Sequence, residues 1–363
     1  MINYIKLRFA GVNDTRNIIE FIKNNWSRNH IFSKFPKILK WQHNSFSKPR
    51  RLNFVIAENF FENKNPIIIG ILGYIQFSRF TLDKKSKEIS LAIWKTKENS
   101  PTGLGLNLLK FLKSKLNPEM VLAIGTSLMV NPIYKVIGYN TGFLSHYALF
   151  PLKKKSKKDK IKNIPINARL LIRKNNELIL KKINKKNILK IFSLKLINNL
   201  GKIRQPKKNF NYILNRFFHH PVYKYEVRAV IFKNKLKAFF IWRKVKCPKY
   251  SILTIVDIIG NVEVIANCGF FLREEIINTN CEYMDLMQYG IEPKILKKSG
   301  FISKNDHKKI ILPSHFEPFQ NKNIKTDIVF WINSGNLNKN HIFFKADSDQ
   351  DRPNKLKKSQ IKK

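Results

Sequence analysis

Long apolar runs are missing from this sequence. No stretch approaches the roughly 18–20 continuous apolar residues that cross a bilayer. The opening residues MINYIKLRFAGVNDT lack a basic, long-cored leader and a small-residue cleavage site. A cytoplasmic protein without a transmembrane segment is expected. Cysteine is scarce too. Cys247, Cys268 and Cys281 are odd in number and widely spaced, which argues against a disulfide framework and a CxxC metal site. Reduced, buried thiols are the plain reading. Acids are few: 24 Asp and Glu face 69 Lys and Arg, a formal charge of +45. Such a surplus invites a nucleic-acid reading. Arginine, the better bidentate reader of phosphates and bases, is sparse among those cations, which turns the reading away from nucleic acid as the favoured partner. The abundance of Lys, Asn and Ile also fits compositional drift. Lysine runs such as Lys153–Lys158 and Lys355–Lys363 read as a solvated linker and tail, or as attractors of anionic substrates, lipid headgroups or nucleic acid.

What is present is enough for globular folding. Apolar residues make up 43% of the 363 residues, a length that suits two domains. The first half alternates strands and helices. A strand over Ile2–Phe9 leads to a helix from Asn13-Asp14 to about Trp26, with Ile18, Ile19, Phe21 and Ile22 as its apolar face. A helix follows at Phe35–Gln42, then strands at Leu52–Ala57, Pro66–Phe77 and Ile89–Trp94, with a turn at Asn63–Asn65. Next come a helix over Leu106–Leu116, a strand at Val121–Ile124, a short helix at Asn131–Ile137 and a strand over Tyr139–Phe150. The reading places a domain at 1–150, a basic linker at 151–164, a second domain at 165–346 and a polar tail at 347–363 with a disordered end. The second domain is expected to hold a strand near Ala168–Ile172 and helices near Ile188–Leu200 and Asn209–Phe218. Strands are expected at Tyr225–Phe232, Leu236–Val245, Ser251–Ile258 and Tyr283–Gln288, with helices at Val262–Ile277 and Glu292–Ser299.

Between Trp94 and Leu106 lies Ser100-Pro101-Thr102-Gly103-Leu104-Gly105. A strand feeding a glycine turn and then a helix can bind anions, because the helix start offers unpaired N–H groups and glycine lets the backbone come close. A plain turn into the helix would look the same. The turn resembles motif A of the GNAT acyltransferases, Gln/Arg-x-x-Gly-x-Gly/Ala, with Ser100 standing where the family has Gln or Arg. About thirty residues on, Tyr134-Lys135-Val136-Ile137-Gly138-Tyr139 resembles the Tyr-x-x-x-Gly-Phe of that family. The resemblance covers roughly residues 3–150. It implies an acyl-CoA co-substrate held by Leu91, Ile93, Ser100, Thr102, Gly103, Leu104 and Gly105. It also implies that Tyr134 protonates the leaving thiolate. Glu88 is a candidate base. Equally ordinary roles are a core-edge tyrosine for Tyr134 and a charged strand end for Glu88.

The second half carries an echo. Glu292-Pro293 to Gly300-Phe301 resembles the same helix-to-strand element, with Leu296 in the tyrosine's place and Ile259-Gly260-Asn261 at the phosphate turn. Weak or absent acyl-CoA binding is expected there. His220, Tyr225, Asp257 and Asp285 are candidate acceptor-binding residues, since carboxylates in apolar strands need partners; hydrogen bonding or turn capping is the structural alternative. His219-His220 has no third ligand at a useful spacing, so no metal is expected. Phe344–Asn354 is an acidic island lacking the Gly and Glu of a calcium loop; Arg352 and its carboxylates suit docking on the second domain. As a whole the chain is similar to tandem GNAT-like proteins of bacterial surface-polysaccharide loci, and distantly to Fem-type aminoacyltransferases. The expected fold is α+β, two GNAT-like lobes, each a mixed, mostly antiparallel sheet flanked by helices. The resemblance implies transfer of an acyl group, acetyl first, from CoA to an amino or hydroxyl acceptor such as a nucleotide sugar. The competing readings are a Fem-like tRNA-dependent transferase, a non-catalytic binding protein, and peripheral attachment to anionic lipid.

Overall fold

The computed structural model describes residues 4–62, 65–152, 164–165, 172–307, 309–316, 319–333 and 341–354. The expected turn at Asn63–Asn65, the basic linker, the strand near Ala168–Ile172 and the tail's end lie wholly or largely outside these residues. The chain divides into two compact units. One is Met1–Thr141 with Val329–Leu337 and Pro353–Lys363; the other is Gly142–Ile328 with Asn338–Arg352. Among the described residues no helix is long and apolar enough to cross a membrane.

The first unit runs β1 (Tyr4–Gly11), α1 (Thr15–Asn25), α2 (Ile31–Lys34), α3 (Pro36–His43), β2 (Arg51–Phe60), β3 (Ile67–Gln76) and α4 (Ser78–Thr81). It continues with β4 (Glu88–Thr96), α5 (Leu104–Leu116), β5 (Met120–Ile124), α6 (Asn131–Val136) and β6 (Asn140–Phe143). β2 and β3 are buried along nearly their whole length, which explains their unbroken apolar runs. Helix α5 presents Leu104, Leu108, Leu109 and Leu112 to one face of the sheet, where they join Val55, Leu72, Tyr74 and Leu91. Each fully buried leucine there contributes about 2 kcal/mol. Gly70 makes this approach possible: a Cβ at that site would stand 3.2 Å from Leu108.

The second unit runs β7 (Ser145–Leu149), β8 (Leu178–Ile183), α7 (Ile188–Ile191), α8 (Leu194–Gly201), α9 (Phe210–Tyr212) with a π turn to Phe218, β9 (Glu226–Phe232) and β10 (Lys235–Lys246). Then come β11 (Ser251–Gly260), α10 (Gly269–Asn278), β12 (Met284–Tyr289), α11 (Pro293–Lys298), β13 (Ile302–Ser303) and β15 (Phe343–Phe344); β14 (Asp327–Ile332), between β13 and β15 in the chain, belongs to the first sheet. The helix expected over Ile188–Leu200 is two, because Ser193 starts α8 afresh by accepting the Leu196 N–H.

The sheets have one plan. The first is ordered β1-β2-β3-β4-β5-β14-β6, and the second reads β8-β9-β10-β11-β12-β7-β13. In each, the fourth and fifth strands run parallel and the first four are antiparallel. The sixth place in each sheet is taken by a strand distant in sequence from its neighbours. The single strand expected over Tyr139–Phe150 is therefore two strands. It breaks at Leu144, whose N–H goes to the Thr326 carbonyl, and β7 joins the second sheet. Alternation marks a strand but not the sheet it enters.

The echoed motif is built the same way twice. Gly138 (φ 82) and Gly300 (φ 84) close α6 and α11 in the left-handed conformation. In both, the glycine N–H reaches back three residues and the next N–H five, to Tyr134 in one and Leu296 in the other.

Candidate functional site

In the first unit the parallel ladder of β4 and β5 runs from Glu88–Met120 to Leu91–Ala123 and stops. A bulge sits at the same level. Gly73 pairs with Ile93 and Tyr74 with Leu91, leaving Ala92 as the extra residue. The strands part beyond this point and open a slot of about 400 Å³. Its walls are Leu91–Lys95 on one side and Ala123–Ser127 on the other, with Val130 just before α6, Tyr134 in it, and Asn25 and Trp26 at the end of α1. Bulges release backbone groups from the ladder, which places those of Leu91–Ile93 at the slot.

The turn beyond β4 is shaped by its glycines for two distinct reasons. Gly103 has φ 81 with open space around it, and it starts α5. Gly105 makes room for an indole: a Cβ there would stand 3.1 Å from Trp94 Nε1. The Leu104 N–H bonds the Pro101 carbonyl and the Asn107 N–H bonds that of Gly103. The N–H groups between them, in the first helical turn, have no intrahelical acceptor. Thr102 and Gly103 are exposed, Leu104 is in the core, and the Ser100 hydroxyl donates to the Ile69 carbonyl at 3.3 Å. Of the expected cofactor set, Leu91 and Ile93 thus line the slot, Thr102 and Gly103 face solvent at the helix start, and Leu104 and Ser100 are spent on the fold.

Tyr134 is packed between Trp94 (5.6 Å between rings) and Tyr139 (5.0 Å). Burial raises its phenol far above the ordinary value, so it stays protonated at any physiological pH. Glu88 is buried at the opposite end of β4 and is not among the slot's lining residues; the structure does not bring it to Tyr134. Among the described residues no carboxylate or imidazole lines this slot, and the charged residue lining it is Lys95. Trp94, Trp26 and the bulge at Ala92 escape sequence reasoning. Trp94 carries the clearest signal, a large aromatic at the end of β4, nine residues before the turn's first glycine, Gly103.

The corresponding place in the second unit is full. The β11–β12 ladder runs from Leu253–Met284 to Ile255–Leu286 and then ends. Gln288 pairs with Ser145 of β7 on one edge and with Phe344 of β15 on the other. β15 therefore lies on the edge of β12 that β11 has left. Only about 20 Å³ remains beside Phe344, Ile258 and Ile259. The helix expected over Val262–Ile277 is two elements, a 3-10 turn at Val262–Asn267 and then α10. The 3-10 turn is capped by Asn261, whose side chain accepts the Glu263 N–H at 2.8 Å, and a separate hollow of about 630 Å³ beside it is lined by Asn261, Glu263, Lys294 and Lys298.

The acidic island anchors this filling, and residues 347–352, expected to begin a polar tail, are buried within the unit. Lys208 Nζ lies 2.6 Å from both Asp257 and Asp347. Burial works to lower the Lys208 ammonium, but the two carboxylates raise it above its ordinary value. Burial pushes the Asp257 carboxyl up to about 6 against the pull of Lys208, with the neighbouring Asp347 adding to the rise, and Arg204 and the buried Arg216 also face Asp257. Asp351 accepts from Arg243 at 2.8 Å and from the Tyr225 hydroxyl at 2.6 Å. Asp285 takes a 2.9 Å hydrogen bond from His146, both side chains wholly buried. His220 Nδ1 accepts the N–H groups of Val222 and Tyr223. Of the four candidate acceptor residues, His220 and Tyr225 meet edge to face at 5.4 Å, while Asp257 and Asp285 are paired elsewhere in the packed interior, and their polar groups serve the fold rather than an open cleft.

No protein-family model matches the chain, and no curated protein matches it. Solved structures do. A GCN5-related N-acetyltransferase from Anabaena variabilis superposes with a TM-score of 0.54 at 12% identity, over 91% of this chain and 73% of the other. A conserved Enterococcus faecalis protein, described as a probable N-acyltransferase, gives 0.50 at 9% identity, over 91% and 73%. The chain has the fold of the GCN5-related N-acetyltransferases: mixed sheets flanked by helices, as the sequence reading expects.

Proposed function

We propose that the protein is an acyl-CoA-dependent acyltransferase working in the slot of its first unit. It moves an acyl group, acetyl first, to an amino or hydroxyl acceptor such as a sugar or nucleotide sugar of surface-polysaccharide synthesis. The observation that carries this reading is the parting of β4 and β5 at the Ala92 bulge, with Tyr134 in the wall and an open helix start at Gly103. The pantetheine arm lies along Leu91–Ile93 and the diphosphate meets the first turn of α5. The acceptor's lone pair attacks the thioester carbonyl, whose oxygen gathers charge against backbone N–H groups at the bulge. The C–S bond then breaks, and Tyr134 donates its proton to the thiolate. The acceptor's proton leaves through water and restores the phenol. Burial keeps the phenol neutral, so it meets the thiolate as a donor and not as a base; the same burial weakens it as an acid, and the charge gathering on sulfur in that wall is what draws the proton.

The test has two arms. Titration calorimetry with acetyl-CoA should show binding to the wild-type chain. Tyr134→Phe should keep that affinity within about twofold while thiol release falls about a hundredfold. An absence of acetyl-CoA binding would sink the reading. Unchanged turnover in Tyr134→Phe would remove the tyrosine from the chemistry and leave the binding site standing.

A further inference from the structure

The β5–α6 segment of the first unit has two faces. Val130 and Tyr134, four residues apart, line the slot. The other face has no cover. Leu128 is 74% exposed, Met129 86%, Ile133 44% and Val136 86%. Ile133 and Val136 lie three residues apart on α6, and Leu128 and Met129 stand in the turn that leads directly into it. A soluble chain scatters such residues singly; four of them gathered beside a cavity mouth mark an interaction surface.

We infer that this ridge docks on an anionic lipid bilayer, with the slot opening at the lipid surface. Charge selects the occupant. From Met120 to Lys158 the sequence holds no Asp or Glu, and exposed Lys135 sits among the apolar side chains. The whole chain carries +45. Reversible attachment to a membrane needs two signals, apolar insertion and attraction to acidic headgroups. The ridge supplies the first, with unbranched Met129 and Leu128 at the loop's tip, and the lysines supply the second. An uncharged bilayer would satisfy only the insertion, and a nucleic acid only the charge. The geometry also fixes what docking serves: Ser127 and Val130 touch the slot while their neighbours Leu128 and Met129 touch the bilayer, so an acceptor carried on a lipid would arrive at the slot's mouth.

Sedimentation with vesicles of phosphatidylcholine, with and without phosphatidylglycerol, tests the inference on the full chain. The wild-type protein should sediment with the phosphatidylglycerol vesicles, and less so in high salt. The combined variant Leu128→Ser, Met129→Ser, Val136→Ser should lose about tenfold or more in partitioning. All three side chains are already in solvent, so its circular dichroism and acetyl-CoA affinity should match the wild type. Lys135→Glu should weaken binding by a smaller factor. Equal sedimentation of the triple variant would overturn the inference, because the lysine-rich segments elsewhere would then suffice. A wild-type dimer that the triple variant converts to a monomer would also overturn it and make the ridge an interface between copies. Sedimentation with neither vesicle would do the same.

Discussion

The two units treat the same place in the same sheet in opposite ways. Where β4 and β5 part, the first unit keeps an open slot of about 400 Å³. Where β11 and β12 part, the second unit inserts its own Phe343–Asp347 and leaves about 20 Å³. The other differences follow the same line. Tyr134 stands in the slot wall, and Leu296, its counterpart, is core. Gly103 starts α5 with no side-chain cap, whereas Asn261 caps the counterpart turn and Glu263 sits in it. A negative side chain at a helix start occupies the place an anionic ligand would want. The comparison teaches how one position in a shared strand plan can stay open or be filled: the parting of the strands persists as geometry, and in the second unit the chain's own residues occupy it.

The largest expected effect breaks that internal filling. Lys208→Ala leaves Asp257 and Asp347 buried without their cation, which should cost about 3–5 kcal/mol in urea unfolding. Lys208→Met should cost less than Lys208→Ala if packing beside Tyr212 and Phe344 matters. A loss below about 1 kcal/mol in Lys208→Ala would mean that the carboxylates protonate freely and that the triad does not anchor the segment.

A smaller effect separates the units by pH. Burial lowers His146, drives His220 well below its ordinary value and takes His315 to about 3. All three lie in the second unit, while His43 is the buried histidine of the first among the described residues. On unfolding, each regains an ordinary value near 6.5 and binds a proton below it. Stability is thus fully present above about pH 6.5 and is lost as pH falls through that value. Each of them that stays neutral in the folded chain removes up to about 1.4 kcal/mol between about pH 7.5 and about pH 5.5. Hydrogen exchange at the two values should show faster opening in β10–β12 than in β2–β4. Equal acceleration in both sheets would contradict the contrast.

How much of this was legible in the sequence depends on the range of the interaction involved. Helix α1, strands β2 to β5 and the Tyr134–Gly138 cap were readable because each is set by residues within a few positions: a stripe of Ile18, Phe21 and Ile22, a run such as Ile67–Gln76, a glycine after a helical turn. The exchange of sixth strands was not readable. Nothing local in Tyr139–Phe150 says that its halves enter different sheets, and nothing local in Asp327–Ile332 says that it pairs with strands far upstream. The slot itself is a property of where a ladder stops. The candidate acceptor carboxylates illustrate the same limit. The sequence shows that Asp257 and Asp285 need partners, but those are Lys208, 49 positions away, and His146, 139 positions away.

The smallest effect sharpens the contrast at the helix starts. Thr102 is exposed on the turn before α5, so Thr102→Glu introduces a carboxylate without disturbing packing. It gives the first unit the acid that the second already has in Glu263. An anionic side chain at a helix start is worth roughly 0.3–1 kcal/mol to the fold. Stability should therefore be unchanged or slightly raised. Acetyl-CoA binding should weaken about tenfold, because the diphosphate and the new carboxylate compete for the same N–H groups and repel each other. The weakening should shrink in high salt as the repulsion is screened. Glu263→Thr, the reverse change in the second unit, should create no acetyl-CoA binding, since Phe344 still fills the cleft beyond that turn. A second binding site in Glu263→Thr would show that charge alone silences this lobe. Unchanged affinity in Thr102→Glu would move the diphosphate away from α5 altogether.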